Sequence, residues 1–326
     1  MRLRQLAIAA AFGCVTTLAQ AAGLAVFEVP AGPDGPTLKV MQWSPCAKPP
    51  DAIELGPFSL PAVRDCPIAG SGLPLVVLSH GFGGTNLSHH DTAEALADAG
   101  FIVVAPNHPD DTASNRDRGR GLAALTNRPT DIRRLIDYML GTSPAAAHID
   151  ARRIGFFGFS RGGYTGLVLA GARPDFRQLR SRCQDPTGER CEPITAEAVP
   201  AAPPMADPRI GAFVIADPLS SVFRSQDAVK AVSAPMQLWG SERGGDGVSP
   251  NGLAAIVRNL PKTPEVHIVP NSGHFAFLTI CPASLAGAVP ELCVDAPGFD
   301  RAAFHADLNR RAVAFLLAHL PESSQP

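Results

Sequence analysis

The chain predicts an α/β domain in which a mostly parallel sheet is covered by helices on both faces. Continuous apolar runs such as "LPLVVLS" and "FIVVAP" recur along it, as strands buried on both faces require. Longer segments with helical spacing separate those runs, which is the alternation of a parallel sheet. Apolar residues reach 45% against 18% charged over 326 residues, so the chain is globular and long enough for a sizeable core.

The elements follow in order. Arg2 and Arg4 precede the apolar stretch Leu6 to Leu18, and Ala19-Gln20-Ala21 forms an A-x-A cleavage site. That pattern is a secretory signal over residues 1–21, too short and wrongly flanked for a stable membrane span. Cys14 raises the question of a lipoprotein, but Phe12 is bulky where a lipobox has small residues. The expected mature chain, 22–326, is one exported, periplasmic or secreted domain. Ala25 to Val29 and Thr37 to Trp43 read as an opening antiparallel pair around "GPDGP". A Pro-rich excursion runs from Pro45 to Pro74. Then come the strand "LPLVVLS", the helix "HHDTAEALADAG", the strand "FIVVAP", the amphipathic helix "DIRRLIDYML" and the strand "RIGFFGFS". A small-residue helix starts at Gly162. Three further strands, "RIGAFVIAD", "APMQLWGS" and "EVHIVP", precede the closing helix "DRAAFHADLNRRAVAFLLAHL". Residues 173–208 break this rhythm and read as an insertion or lid over the strand ends.

Charge and cysteines narrow the function classes. A formal net charge of −2 with no basic block excludes a nucleic-acid surface. Loss of Cys14 with the signal leaves six of the seven cysteines. They fall into local couples, Cys46 with Cys66, Cys183 with Cys191 and Cys281 with Cys293, as expected of disulfides in an exported chain. No Cys/His spacing resembles a zinc site, so no structural metal is expected.

In a parallel sheet, ligands bind outside the carboxyl ends of the strands. Gly158-Phe159-Ser160-Arg161-Gly162 stands at such an end and matches G-x-S-x-G. A strand turning directly into a helix strains the serine backbone and lifts its hydroxyl above the sheet, where only small neighbours fit. A nucleophilic serine needs a base and an oxyanion hole. His80-Gly81-Phe82-Gly83-Gly84 follows an earlier strand, and the N–H groups of Phe82 and Arg161 are the expected oxyanion donors. Among nine histidines, His274 in "NSGHFAF" follows the last strand and is the expected base. His80 reads as structural, and His108 in "PNHPDD" as a residue lining the pocket. Three carboxylates satisfy the order serine, acid, histidine: Asp246 first, with Asp217 and Glu242 as alternatives.

"HGFGG", "GFSRGG" and "SGHFAF", in that order, resemble the α/β-hydrolase superfamily. Within it the chain is similar to the dienelactone-hydrolase-like group related to platelet-activating-factor acetylhydrolases. The resemblance implies an eight-stranded, mostly parallel sheet and cofactor-free esterase chemistry, with Ser160 as nucleophile and His274 as base. True dienelactone hydrolases use a cysteine nucleophile, so that name implies no substrate here. In the acetylhydrolase branch the acid follows the strand after the nucleophile, which selects Asp217. In the more general bacterial pattern it follows one strand later, which selects Asp246. The expected function is cleavage of small-molecule or lipid-like carboxylic esters. The alternatives are a peptidase or acyltransferase on the same fold, or a binding module that has kept the fold.

Overall fold

The computed structural model describes residues 21–116, 118–180 and 205–322. Residues 1–20 of the expected signal at 1–21, the Cys183–Cys191 couple and most of the expected lid at 173–208 lie outside the described residues.

One sheet organises the chain. Its strands are β1 (Ala21–Val29), β2 (Leu38–Cys46), β3 (Asp51–Leu55), β4 (Phe58–Arg64), β5 (Leu73–Ser79), β6 (Ile102–Pro106), β7 (Ile149–Phe159), β8 (Ile210–Ala216), β9 (Met236–Ser241) and β10 (Glu265–Val269). Their order is β10-β9-β8-β7-β5-β6-β2-β1-β4-β3. From β10 to β6 every pairing is parallel. The β1–β2 pair is antiparallel, as its turn predicts.

The sheet has ten strands rather than the expected eight. The added pair is the β3–β4 hairpin, inside the Pro-rich excursion from Pro45 to Pro74. Leu55 pairs with Phe58 across a two-residue turn in which Gly56 has φ 60°, the glycine-first turn that suits hairpins. Ile53, Leu60 and Ala62 point inward while their neighbours face water. The Cys46–Cys66 disulfide ties the hairpin to the end of β2.

Alternation along the central strands builds two cores. Leu75, Val77, Phe156, Phe213 and Ile215 pack on one face. There they meet α2 (Arg128–Gly141), α3 (Arg161–Leu169) and α4 (Pro250–Asn259). Val76, Leu78, Phe157, Phe159 and Val214 pack on the other, against α1 (His90–Asp98) and α5 (Arg301–His319). Asp300 caps α5 by accepting a hydrogen bond from the Ala303 N–H at 3.0 Å. This two-sided burial is why the strands carry unbroken apolar runs.

The described flanks of residues 173–208 are anchored by backbone bonds. Arg173 N–H donates to the Ala228 carbonyl at 2.7 Å, and Asp207 N–H to the Leu169 carbonyl at 2.9 Å. Leu169 ends α3, at the opposite end from Ser160.

Candidate active site

Ser160 sits between β7 and α3 with φ 55° and ψ −113°, a region that L-residues avoid. Sterics enforce the flanking glycines. A Cβ on Gly158 would overlap the Gly162 carbonyl, and one on Gly162 would overlap the Ser79 carbonyl oxygen. The turn is held by Ser160 N–H donating to the Ala216 carbonyl at 3.0 Å and by Leu219 N–H donating to the Ser160 carbonyl at 3.0 Å.

His274 Nε2 lies 3.0 Å from Ser160 Oγ, and His274 Nδ1 lies 2.6 Å from Asp217 Oδ2. The carboxylate accepts, so the ring proton is on Nδ1 and Nε2 faces the hydroxyl as an acceptor. All three residues are buried; Ser160 is 6% exposed and His274 2%. Asp217 follows β8 directly. Ser241 fixes its carboxylate, donating its N–H to Oδ1 at 3.0 Å and its hydroxyl to Oδ2 at 2.8 Å. The Phe159 ring stacks on the imidazole with centroids 4.6 Å apart.

The structure thus brings Asp217, one of the alternatives, to His274, and not Asp246, the first choice for the acid. Gly245 and Val248 exchange both backbone hydrogen bonds, at 3.1 and 2.8 Å. Asp246 and Gly247 form the tip of that tight turn with φ 45° and 78°, and Asp246 is exposed. Asp-Gly is itself a strong two-residue turn signal, and reading it so would have removed Asp246 from contention. Glu242 points elsewhere, accepting the Asn271 N–H at 2.7 Å.

The N–H groups of Phe82 and Arg161 make no hydrogen bond to protein among the described residues. The Arg161 guanidinium donates to Asp111 Oδ2 at 3.1 Å and to the Gly119 carbonyl, and it lies 4.4 Å from the centroid of the Phe82 ring. Of the aromatic residues near the site, Phe159, Phe277 and Trp239 are buried in the core, whereas Phe82 and Phe275 are partly exposed.

A second, sealed network lies behind the oxyanion loop. His108 Nε2 is 2.9 Å from Ser79 Oγ, and His108 Nδ1 is 2.9 Å from Asp131 Oδ2. It repeats the serine–histidine–aspartate order, but Ser79 is 0% exposed and its oxygen also accepts from Arg128 at 3.2 Å. No substrate reaches it, so it is structural, and His108 is a buried strut rather than a pocket wall. His80 donates Nδ1–H to the Gly81 carbonyl at 2.7 Å and accepts the His108 N–H on Nε2 at 3.2 Å. It is therefore a neutral imidazole, and burial, helped by Arg128, lowers its pKa well below the ordinary value.

Arg128 and Asp111 are the residues sequence reasoning missed. Arg128 is 1% exposed and Asp111 0%. Burial alone would raise the Asp111 carboxyl, but Arg128 and then Arg161 outweigh it and hold it below the ordinary carboxylate value. A signal existed: Arg128, Ile132, Leu135, Ile136 and Met139 share one helical stripe, so the arginine stands on the apolar face.

The sequence model of the family platelet-activating factor acetylhydrolase, isoform II, matches residues 49–123. That stretch holds β3 to β6 and the oxyanion loop and stops short of Ser160. A comparison with curated proteins finds no match. Among solved structures, the ferulic acid esterase from Streptomyces cinnamoneus shares 20% sequence identity, with TM-score 0.64, over 94% of this chain and 92% of that chain. The fold is that of the α/β-hydrolases. The family match covers less than a quarter of the chain and is a local similarity to platelet-activating factor acetylhydrolase, isoform II.

Proposed function

We propose that this chain is an exported serine hydrolase that cleaves small-molecule or lipid-like carboxylic esters through an acyl-enzyme. One observation carries the reading: the unbroken chain from Ser160 Oγ to His274 at 3.0 Å and on to Asp217 at 2.6 Å, on a strained turn beside two N–H groups that are unpaired among the described residues. His274 Nε2 takes the hydroxyl proton as Ser160 Oγ attacks the ester carbonyl carbon. The carbonyl π electrons move to oxygen, where the N–H groups of Phe82 and Arg161 receive the developing charge. Asp217 steadies the imidazolium. Collapse of the tetrahedral species expels the alkoxide, which takes the proton from Nε2 and leaves as alcohol. Water, deprotonated by the same nitrogen, attacks the acyl-serine; the acid departs and Ser160 regains its proton. Every proton and electron pair comes from the three side chains, the ester and water, so the steps need no cofactor.

Export is supported by the signal pattern and by the Cys46–Cys66 and Cys281–Cys293 disulfides. Among the described residues no helix is long and apolar enough to cross a membrane. The matched family and the structural neighbour, an acetylhydrolase and a ferulic acid esterase, are both named for ester cleavage. Ser160→Ala is expected to reduce turnover of short p-nitrophenyl esters by about 10⁴-fold or more with an unchanged circular dichroism spectrum. Wild-type turnover in that folded variant would end the proposal.

A further inference from the structure

We infer that Arg128, braced by Asp111, is a positioning residue that fixes and polarises the oxyanion-binding peptide; the inference rests on the esterase reading above. The Phe82 N–H belongs to the same peptide group as the Gly81 carbonyl. That carbonyl accepts from Arg128 Nη2 at 3.1 Å and from His80 Nδ1 at 2.7 Å. The preceding carbonyl, of His80, accepts from Arg128 Nη1 at 2.7 Å. On the other side of Phe82, Gly83 N–H donates to Asp111 Oδ1 at 3.0 Å. The peptides on either side of the Phe82 Cα are thus tied to one buried ion pair, while the Phe82 N–H makes no hydrogen bond to protein among the described residues.

The guanidinium suits this task because its donors lie in one fixed plane. All five are engaged. Nε and Nη2 reach Asp111 Oδ2 at 3.1 and 3.0 Å, Nη1 reaches the His80 carbonyl and Ser79 Oγ, and Nη2 also reaches the Gly81 carbonyl. Asp111 Oδ2 also accepts from the Arg161 guanidinium at 3.1 Å, so one carboxylate holds both Arg161 and the peptide N–H that follows Phe82.

Two effects follow. A glycine-flanked peptide flips readily, and a flip here would turn the Gly81 carbonyl toward the developing oxyanion in place of the N–H. The flip would strip that carbonyl from a buried cation, which is costly. A cation bonded to the carbonyl also draws density from the amide, making its N–H a stronger donor in a low-dielectric site. Both effects act on the tetrahedral species and leave ground-state ester binding alone, so they appear in kcat rather than KM.

Arg128→Lys keeps the charge but has three donors and no fork. In the full mature chain with p-nitrophenyl acetate, we expect kcat to fall ~10- to 100-fold with KM within about twofold. A trifluoromethyl ketone, which adds to a serine as a tetrahedral oxyanion, should bind more weakly by the same factor. The matching methyl ketone should bind unchanged. Asp111→Asn, which keeps an acceptor for Gly83 N–H but loses the charge, should shift kcat and the trifluoromethyl ketone in the same direction. It carries the test where the lysine variant is unfolded. Both variants are assayed below their melting transitions. Wild-type kcat in either folded variant, or a loss seen in KM with the trifluoromethyl ketone unaffected, overturns the role of Arg128. Ser160→Ala is run beside them; if it matches wild type, the esterase reading falls and this role falls with it.

Discussion

Replacing Asp217 by asparagine changes one atom at nearly constant volume, yet it should all but silence the site. The carboxylate receives three hydrogen bonds, from Ser241 N–H, Ser241 Oγ and His274 Nδ1. An asparagine must keep its carbonyl oxygen toward Ser241 N–H, because an amide N–H there would meet another donor. Its NH₂ then faces Ser241 Oγ, which can accept, and His274 Nδ1. To accept from that NH₂, the imidazole must move its proton to Nε2, the atom 3.0 Å from Ser160 Oγ. The base then presents a proton to the hydroxyl it should deprotonate. Loss of the correct tautomer costs about 10³- to 10⁴-fold in kcat, or about 4 to 5.5 kcal/mol of transition-state stabilisation. The assay is p-nitrophenyl acetate hydrolysis, with thermal melts to show that the fold is retained. Asp246→Asn is the control. Its side chain is exposed at a turn whose φ of 45° suits asparagine, so activity should stay within about twofold. A larger loss in Asp246→Asn than in Asp217→Asn would refute the assignment of the acid.

Two further outcomes concern stability. Burial, partly offset by Arg128, pushes the Asp131 carboxyl from 3.8 up to about 7. The stability it contributes is fully present below the ordinary carboxyl value and lost as pH rises through about 7. In urea titrations, wild-type stability relative to Asp131→Asn should therefore decline from about pH 4 to about pH 7 and level off above it; parallel pH profiles would contradict this. Gly162→Ala places a methyl against the Ser79 carbonyl and should destabilise by about 3 kcal/mol or more, read as a lower urea midpoint; an unchanged midpoint would show that the turn relaxes without cost.

Much of the site is legible before folding because position along the chain encodes height on the sheet. Ser160 and His274 each stand just beyond an apolar run, so a parallel sheet brings them to one edge. The local cysteine couples Cys46–Cys66 and Cys281–Cys293 are legible for a similar reason, since each closes a short excursion and forms a disulfide. The acid is not, because Asp217, Glu242 and Asp246 follow two adjacent strand ends. Lateral reach decides among them, and it is set by Ser241, which anchors one carboxylate from the neighbouring strand. The β3–β4 hairpin was hidden because an outer pair buries only one face, so its alternation is diluted by polar residues and by Pro61. Arg128 was hidden because an arginine at a helix start ordinarily faces water, and only its burial between the Gly81 carbonyl and Asp111 reveals its use.

The strand that leads to His274 is the outermost of the parallel set. β10 has five residues, pairs only with β9 among the described residues, and leaves Val266 and Ile268 38% and 51% exposed. Ser160 and Asp217 follow inner strands, so the three groups do not share one resistance to heat or denaturant. Edges fray before interiors. On the proposed triad, peeling of β10 would withdraw the base while the nucleophile and the acid stayed in place, so turnover would be lost with most of the sheet intact. Activity would then report the hold of one peripheral strand rather than the fold as a whole.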